Sequence, residues 1–222
     1  MEILELHGIV LNSFDYSEFD RRLVILTSER GKITVFARGV KRPGNNLMAS
    51  TQGFCFGVFS VTEGRSAYNL RSIEVIEYFE GIRSDLSAYA YGSYFLELAD
   101  YYSRENIEDR PLLSLIYVSL LALLREDFSN ALIKAVFEIK IISVEGELPG
   151  LPDDFTLLPG TRHAYDHIVG SPPEKLFTFN VREEILSELK TLSAYYMRRC
   201  VRREFKTLKF LNEISYTFNK YM

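Results

Sequence analysis

The sequence has no tryptophan and, among its 222 residues, only two cysteines and three histidines. The cysteines, Cys55 and Cys200, lie far apart, which excludes a disulfide framework or a cysteine-based metal site and is typical of a reducing compartment. The first residues lack the cationic and apolar segments of a signal peptide. The longest apolar run, at residues 120–124, is too short to cross a bilayer. These absences predict a soluble, cytoplasmic protein.

Motifs for catalysis are missing as well. The sequence contains no G-x-S-x-G element, no P-loop lysine pattern and no dinucleotide-binding glycine fingerprint. His163 and His167 are four residues apart with Asp166 between them, and they could hold a metal ion if their segment were helical. The surrounding prolines and glycines favour ordinary loop histidines. We expect a protein that is not an enzyme and has no cofactor, with a metal-dependent enzyme built on these three residues as an alternative.

The first eighty residues have the pattern of a β-domain. Short runs rich in Ile, Val, Leu and Thr alternate with turn signals, at residues 5–11, 22–27, 32–37, 54–61 and 68–79. Five short strands joined by hairpin-length turns favour a small closed or half-closed barrel. Residues 54–59 are apolar on both faces, which predicts a strand buried on both sides, with Gly57 at a bulge or bend.

From Ile82 onward the apolar residues follow a helical period. The spacing predicts helices over residues 86–101, 112–124 and 132–142, and Ser129 precedes the third as its cap. Residues 148–173 hold five of the seven prolines, so we expect an irregular insert at about 146–179. Asn180 and Glu183 then form a capping-box-like pair before another helix. The sequence predicts an α+β protein, with a β-barrel domain at residues 1–80 and a helical domain at 81–222.

Positive charge is concentrated in two windows of a chain whose formal net charge is −4. Residues 21–72 hold nine Lys/Arg against two acids, and residues 190–210 hold seven against one. The first window includes the loop A-R-G-V-K-R-P-G at residues 37–44, which follows a predicted strand. Such separation of charge indicates a polyanionic partner. A merely solvated turn is the alternative for this loop.

The second window contains M-R-R-C-V-R-R-E-F-K at residues 197–206. If this segment is helical, Arg198, Arg202 and Lys206 align on one face, with Arg199 and Arg203 beside them. Like charges in this arrangement repel unless anions or acids neutralise them. Two interpretations stay open: an extension of a polyanion path, or ion pairing with the acidic central part of the chain.

Aromatic residues are interleaved with the cations of the first window. Flat side chains can stack on nucleobases, at roughly 1–3 kcal/mol per base. Tyr16 and Tyr68 adjoin turn residues and are candidates for exposed stacking, and Phe14 and Phe19 lie in the same stretch. A small barrel also needs bulky filling, so other rings are expected in its core: Phe36, Phe54, Phe56 and Phe59.

Residues 8–43 read G-I-V-L-N-S-F-D-Y-S-E-F-D-R-R-L-V-I-L-T-S-E-R-G-K-I-T-V-F-A-R-G-V-K-R-P. This stretch resembles the opening of the RecO family of bacterial DNA-repair recombination mediators. Residues 208–214, L-K-F-L-N-E-I, resemble that family's closing motif. The resemblance implies an N-terminal OB-fold and a helical remainder. It also implies binding of single- and double-stranded DNA, annealing of complementary strands and, with RecR, loading of RecA onto strands coated by single-strand binding protein. A nucleoid-associated location would follow.

Many members of that family carry a four-cysteine zinc module near the position of residues 146–173 here. This segment has no cysteine, so no zinc site can be carried over. DNA-contact candidates transfer where the motif matches, at Arg22, Lys32, Arg38, Lys41 and Arg42. The remaining candidates are chosen for their charge alone: Arg65, Arg71, Arg198, Arg199, Arg202, Arg203 and Lys206.

A function of another class also stays open. The protein could be an interaction adaptor whose basic face docks the acidic C-terminal tail of single-strand binding protein, rather than DNA. The apolar grooves of an acidic helical domain would then receive further partners.

Overall fold

The computed structural model describes residues 2–152 and 155–221, with side-chain surroundings up to residue 214. Five strands come first: β1 Ile3–Asp15, β2 Arg21–Thr27, β3 Gly31–Ala37, β4 Phe56–Glu63 and β5 Tyr68–Glu77. The helices of the described chain follow: α1 Glu80–Ser84, α2 Leu86–Tyr102, α3 Arg110–Leu123, α4 Asn130–Val144, α5 Pro159–Gly170, α6 Glu183–Cys200 and α7 Lys206–Tyr221. This order confirms the predicted α+β class.

The strands close into a barrel in the order β1-β2-β3-β5-β4, and β4 pairs back with β1. Neighbouring strands are antiparallel except for a short parallel pairing of β3 with β5 at Val35–Tyr68 and Phe36–Asn69. A five-stranded barrel with this crossover is the OB-fold architecture. The fold expected for the first eighty residues is confirmed.

Alternation along the strands separates a packed interior from an outer face. On β3, Ile33, Val35 and Ala37 are buried while Lys32, Thr34 and Phe36 are half-buried. Leu23, Ile25, Phe59 and Val61 join the same interior cluster. Each fully buried side chain of this size contributes roughly 1.5–3 kcal/mol to folding. The alternating residues of β3, Lys32, Thr34 and Phe36, therefore lie on the outer face of the barrel.

Gly57 lies at a bulge, as predicted. The register of β4 with β5 shifts between Phe56 and Gly57, and a Cβ on Gly57 would lie 2.3 Å from the carbonyl oxygen of Glu74. The prediction that this strand is buried on both sides is wrong. Phe59 is buried but Phe56 and Val58 are half-buried, because one face of β4 lies against the barrel core and the other lies outside it.

The chain divides into two compact units, Met1–Glu80 with Leu96–Leu113, and Gly81–Phe95 with Ser114–Met222. In the first unit, backbone hydrogen bonds join the start of β3 to the segment after α2: Lys32 N to Arg104 O and Asn106 N to Arg30 O, each 2.9 Å. Gly31, with φ +58°, bridges to Glu105. The segment at residues 104–107 therefore extends the barrel's own hydrogen bonding.

The second unit is built around α4, whose side chains are buried on most of its circumference. Ser129 accepts a hydrogen bond from Leu132 N at 3.2 Å, which confirms the predicted cap. Glu138 of this helix is 2% exposed. Its carboxylate accepts hydrogen bonds from Tyr94 and Ser193 and pairs with Lys134. The buried charge is thus compensated on several sides.

Two predictions for the helical part are wrong. Residues 159–170 form α5 inside the expected irregular insert, because Pro159 occupies the first helical turn, where proline is tolerated. Its buried residues, Thr161, Ala164, Tyr165 and Ile168, follow a helical period. The capping box is also absent: the cap of α6 is Arg182, without a side-chain hydrogen bond. The Asn180 side chain instead donates to the carbonyl of Asp127 at 2.6 Å.

The second basic window does not form one helix. Helix α6 ends at Cys200, and Val201 is extended, with φ −102° and ψ 123°. Helix α7 begins only at Lys206. The predicted alignment of Arg198, Arg202 and Lys206 on one helical face is therefore wrong. None of the described helices is long and apolar enough to span a membrane.

Candidate nucleic-acid interface

A cation lies between aromatic rings on the outer face of the barrel. Phe14 on β1 pairs with Arg22 on β2, which pairs with Phe36 on β3, so the three side chains share one face. The Arg22 guanidinium lies 5.0 Å from the centroid of the Phe14 ring. The ring of Tyr16, from the turn after β1, lies 4.8 Å from that of Phe36 at 59°. We call Phe14, Tyr16, Arg22 and Phe36 the aromatic row.

The rings at this end of the barrel are unusually open to solvent. Tyr16 is 64% exposed, Phe14 45% and Phe19 36%. None of the three belongs to the barrel's core cluster. Contiguous exposed apolar surface beside polar residues is typical of an interaction site. The turn between β1 and β2 therefore presents aromatic surface that folding of the barrel does not require.

The basic loop, residues 38–44, is fastened to that turn. The Gly39 amide donates to Asp20 Oδ1 at 2.7 Å, and the Lys41 amide donates to the Phe19 carbonyl at 3.0 Å. The guanidinium of Arg42 lies 5.7 Å from the centroid of the Phe19 ring. These contacts hold the cations of the loop next to the exposed rings.

Carboxylates form ion pairs with some of the cations near the turn and not with others. Asp15 lies 2.9 Å from Lys41 Nζ and 3.6 Å from Arg21 Nε. The hydrogen bond from Lys41 lowers the pKa of Asp15 below its ordinary value. The pKa of Asp20 is lowered mainly by the hydrogen bond from the Gly39 amide.

Three exposed arginines remain. Among the described residues, Arg22, Arg38 and Arg42 form no ion pair with a carboxylate, and all three side chains are exposed. Guanidinium groups match the geometry of phosphate oxygens and can bind them through two parallel hydrogen bonds. Exposed cations next to exposed aromatic rings can bind the phosphate backbone and the bases of a nucleic acid.

Lys32, Arg65 and Arg71 have different surroundings. Lys32 Nζ donates to the Asp100 carbonyl at 2.7 Å and lies 3.2 Å from its carboxylate, so its charge is used within the first unit. Arg65 is exposed on the turn between β4 and β5. Together with Lys32 and Tyr68 it lines a cleft of about 220 Å³. Arg71 Nε donates to Thr62 Oγ1 at 3.2 Å.

The second basic block belongs to the second unit. Arg198 and Arg199 are exposed in the last turn of α6, where cations interact favourably with the helix dipole. Arg199 donates to the Tyr195 hydroxyl at 2.9 Å. Arg202 and Arg203 lie in the connection to α7, with Arg203 over the ring of Phe205 at 5.9 Å. Lys206 opens α7. These cations therefore lie at the end of α6, in the connection that follows it and at the start of α7.

The histidines of α5 are one helical turn apart, but His167 is already engaged. Its Nε2 lies 3.1 Å from the Lys175 carbonyl and its Nδ1 lies 3.3 Å from the Ser171 hydroxyl. No group of three His, Cys, Asp or Glu side chains placed to hold a metal ion occurs in the part of the chain that the structure describes. The metal-site alternative with His163 and Asp166 thus has no geometric support.

Sequence reasoning assigned three rings to the wrong surroundings, and one of them, Phe56 on β4, was expected in the core but is half-buried. Phe36 was expected in the core, yet it is half-buried on the outer face beside Tyr16. The signal was present, because alternation on β3 places Phe36 on the same face as Lys32 and Thr34. Tyr68, a candidate for exposed stacking, is half-buried and packs against the barrel core. Tyr16 is exposed as expected.

Two family descriptions match consecutive parts of the chain. Residues 1–79 match "Recombination protein O N terminal", and residues 83–154 match "Recombination protein O C terminal". The first matched range contains the five strands of the β-barrel and ends just after β5. The second covers α2, α3 and α4.

Curated relatives show the same similarity. The DNA repair protein RecO of Acetivibrio thermocellus is 29% identical over 246 residues, which cover 96% of this chain and 98% of the relative. The DNA repair protein RecO of Bacillus pumilus is 35% identical over 149 residues, covering 67% of this chain and 58% of the relative. That of Clostridium novyi is 30% identical over 146 residues, covering 66% and 57%.

Proposed function

Because the chain belongs to the RecO family of DNA repair proteins, we propose that it is a recombination mediator that binds single- and double-stranded DNA. The observation that carries the proposal is the pair of exposed arginines Arg38 and Arg42 near the aromatic row, which itself contains the exposed Arg22. Arginines hold phosphates without regard to base sequence, and rings stack on any base. Binding should therefore depend on salt and show little sequence preference.

We further propose that the protein anneals complementary strands and is not an enzyme. Annealing requires that two polyanions approach each other, and bound cations reduce their mutual repulsion. It requires no nucleotide hydrolysis, which agrees with a sequence that has no P-loop pattern. The exposed rings can hold bases loosely enough to release them to a pairing strand.

We infer that the protein acts with RecR to help load RecA onto strands coated by single-strand binding protein. This role places it in the cytoplasm, at the nucleoid. The cations proposed to contact DNA in the first unit are Arg22, Arg38, Lys41 and Arg42, with Lys32, Arg65 and Arg71 as further candidates. Those proposed to contact DNA in the second unit are Arg198, Arg199, Arg202, Arg203 and Lys206.

Two assays test this function directly. Fluorescence anisotropy with labelled single-stranded and duplex oligonucleotides should show saturable binding of both forms that weakens as salt is added. Energy transfer between labelled complementary strands should show annealing faster than the spontaneous reaction, without nucleotide. Binding without acceleration would contradict the annealing proposal alone, whereas the absence of binding at low salt would contradict the function as a whole.

A second candidate function is favoured by a cavity in the second unit. This cavity of about 330 Å³ has an apolar wall of Ala131, Ala135, Ala194 and Leu211 with Lys190 beside it, and its second lysine, Lys134, is paired with Glu138. Apolar surface with a cation beside it suits a peptide that combines acidic and hydrophobic residues. On this basis the protein would be an adaptor that docks the acidic tail of single-strand binding protein.

Competition separates the two functions. A labelled tail peptide is bound to the protein and titrated with single-stranded DNA, and Lys190→Ala is compared with Arg38→Ala/Arg42→Ala. If tail and DNA bind independently and Lys190→Ala weakens only the peptide, both functions coexist at two sites. If the tail binds at the basic loop and DNA does not bind, the adaptor function replaces the DNA-binding one.

A further inference from the structure

We propose that the aromatic row selects single-stranded DNA, whereas the basic loop holds the backbone of either form. This inference rests on the proposed function and adds a division of labour within the same surface. Phe14 and Tyr16 would contact unpaired bases, with Phe36 completing the row. Arg38 and Arg42 would contact phosphates.

The shape of the row suits bases rather than a backbone. Phe14 and Phe36 project from the same face of strands separated by one intervening strand, so they are about 10 Å apart. The Arg22 side chain lies between them and over the ring of Phe14. Alternating rings and a guanidinium give consecutive flat surfaces on which bases can stack. In a duplex, each base is already stacked on its neighbours, and only a single strand can offer free base faces to the row.

The rings are not needed to fill the barrel. The packed interior consists of other residues, among them Val10, Leu23 and Phe59, and Phe14 and Tyr16 are 45% and 64% exposed. Truncating either ring removes surface that is in contact with solvent and leaves no cavity in the core. A change in DNA binding by such variants can therefore be assigned to the lost ring rather than to unfolding.

Binding of phosphates by the basic loop does not require unpaired bases. Arg38 and Arg42 are exposed, and hydrogen bonds from the neighbouring Gly39 and Lys41 amides to Asp20 Oδ1 and the Phe19 carbonyl tie their loop to the turn after β1. Phosphates are displayed by single strands and duplexes alike, so these cations should contribute to both. Selectivity must then come from the neighbouring rings.

The test compares Phe14→Ala/Tyr16→Ala with Arg38→Ala/Arg42→Ala. Anisotropy gives the Kd for a labelled oligothymidine and for a duplex of equal length, across a range of salt. Tyr89→Ala removes a tyrosine of α2 that is 42% exposed and serves as the matched control, and thermal melting confirms folding of every variant. Tyr16→Phe, which keeps the ring, should bind both DNA forms like the unmodified protein.

We expect the aromatic double variant to lose about thirtyfold or more in affinity for the single strand, because two base–ring stacks are removed. Its duplex affinity and its salt dependence should stay unchanged. The arginine double variant should weaken both forms and flatten the salt dependence of both.

Equal losses for single strand and duplex in the aromatic variant, or no loss for the single strand, would overturn the inference while the DNA-binding function stands. If the unmodified protein binds neither form, the proposed function itself fails, so the two failures are distinguishable.

Discussion

Asp15 and Lys41 form an ion pair of 2.9 Å next to the aromatic row. The same carboxylate lies 3.6 Å from Arg21 Nε and is itself 64% exposed. An acid in this position holds two cations in the way that a phosphate group would. DNA must therefore compete with an internal anion for Lys41.

Replacing Asp15 should strengthen DNA binding. Asp15→Ala frees Lys41, so single-strand affinity at moderate salt should rise severalfold and the log–log salt dependence should steepen by about 0.7 for one added phosphate contact. Asp127→Ala is the matched control, because Asp127 is an exposed acid paired with Arg125 at 2.6 Å in the second unit. Unchanged or weaker binding by Asp15→Ala would show that the ion pair does not compete with DNA.

The same ion pair predicts a dependence of stability on pH. The lowered pKa of Asp15 means that its contribution to stability is present above the ordinary carboxyl pKa. That contribution is lost as pH falls through the lowered value. When the pH is lowered from neutral to about 3, the Tm of Asp15→Ala should therefore fall by less than the Tm of the unmodified protein. Equal losses of Tm in calorimetry would show that the pair adds nothing to stability.

Asp20 has the opposite role, although it is also an acid beside the loop. Its carboxylate accepts the Gly39 amide hydrogen bond at 2.7 Å and so positions the loop. Asp20→Ala should bind DNA more weakly than Asp15→Ala, even though both substitutions change the net charge equally. Hydrogen exchange of the Gly39 amide should become faster only in Asp20→Ala. Identical affinities and identical exchange would mean that charge alone decides binding.

Gly31 tests the hydrogen bonding between β3 and the segment after α2. A Cβ there would lie 2.3 Å from the carbonyl oxygens of Arg104 and Ile107, in a residue with φ +58°. Gly31→Ala should lower the free energy of unfolding by more than about 2 kcal/mol, measured by urea denaturation. Gly44→Ala is the control, since Gly44 also has a positive φ of +81° but no atom within 4 Å of the added Cβ. Equal effects of the two substitutions would contradict the close packing at Gly31.

The strands of the barrel could be predicted from the sequence because the patterns that specify them lie within short segments. Alternation of apolar residues and turn chemistry between them located all five strands, and Gly57 marked the bulge in β4. The helical part was less predictable. Pro159 reads as a helix breaker in a linear scan but starts α5. The hydrogen bond of Asn180 to Asp127 connects residues too distant in sequence for a capping rule to anticipate.

The candidate site was only half predictable for a similar reason. Charge and exposure of Arg38, Arg42 and Tyr16 follow from their place in turns. The alignment of Phe14 with Arg22 and Phe36 depends instead on cross-strand register, and the register of β1 with β2 shifts between Val10 and Asn12. A slip of one residue would move Phe14 to the other face of the strand. No pattern within β1 alone specifies that shift.

The central claim is that the basic loop holds the DNA backbone. It is tested most directly by the salt dependence of single-strand affinity in Arg38→Ala/Arg42→Ala, with Arg162→Ala/Arg182→Ala as the control, since both of these arginines are exposed in the second unit. If each loop arginine neutralises one phosphate, the log–log slope should flatten by about 1.4 and the control should keep the slope of the unmodified protein. An unchanged affinity and slope in the loop variant would contradict the claim.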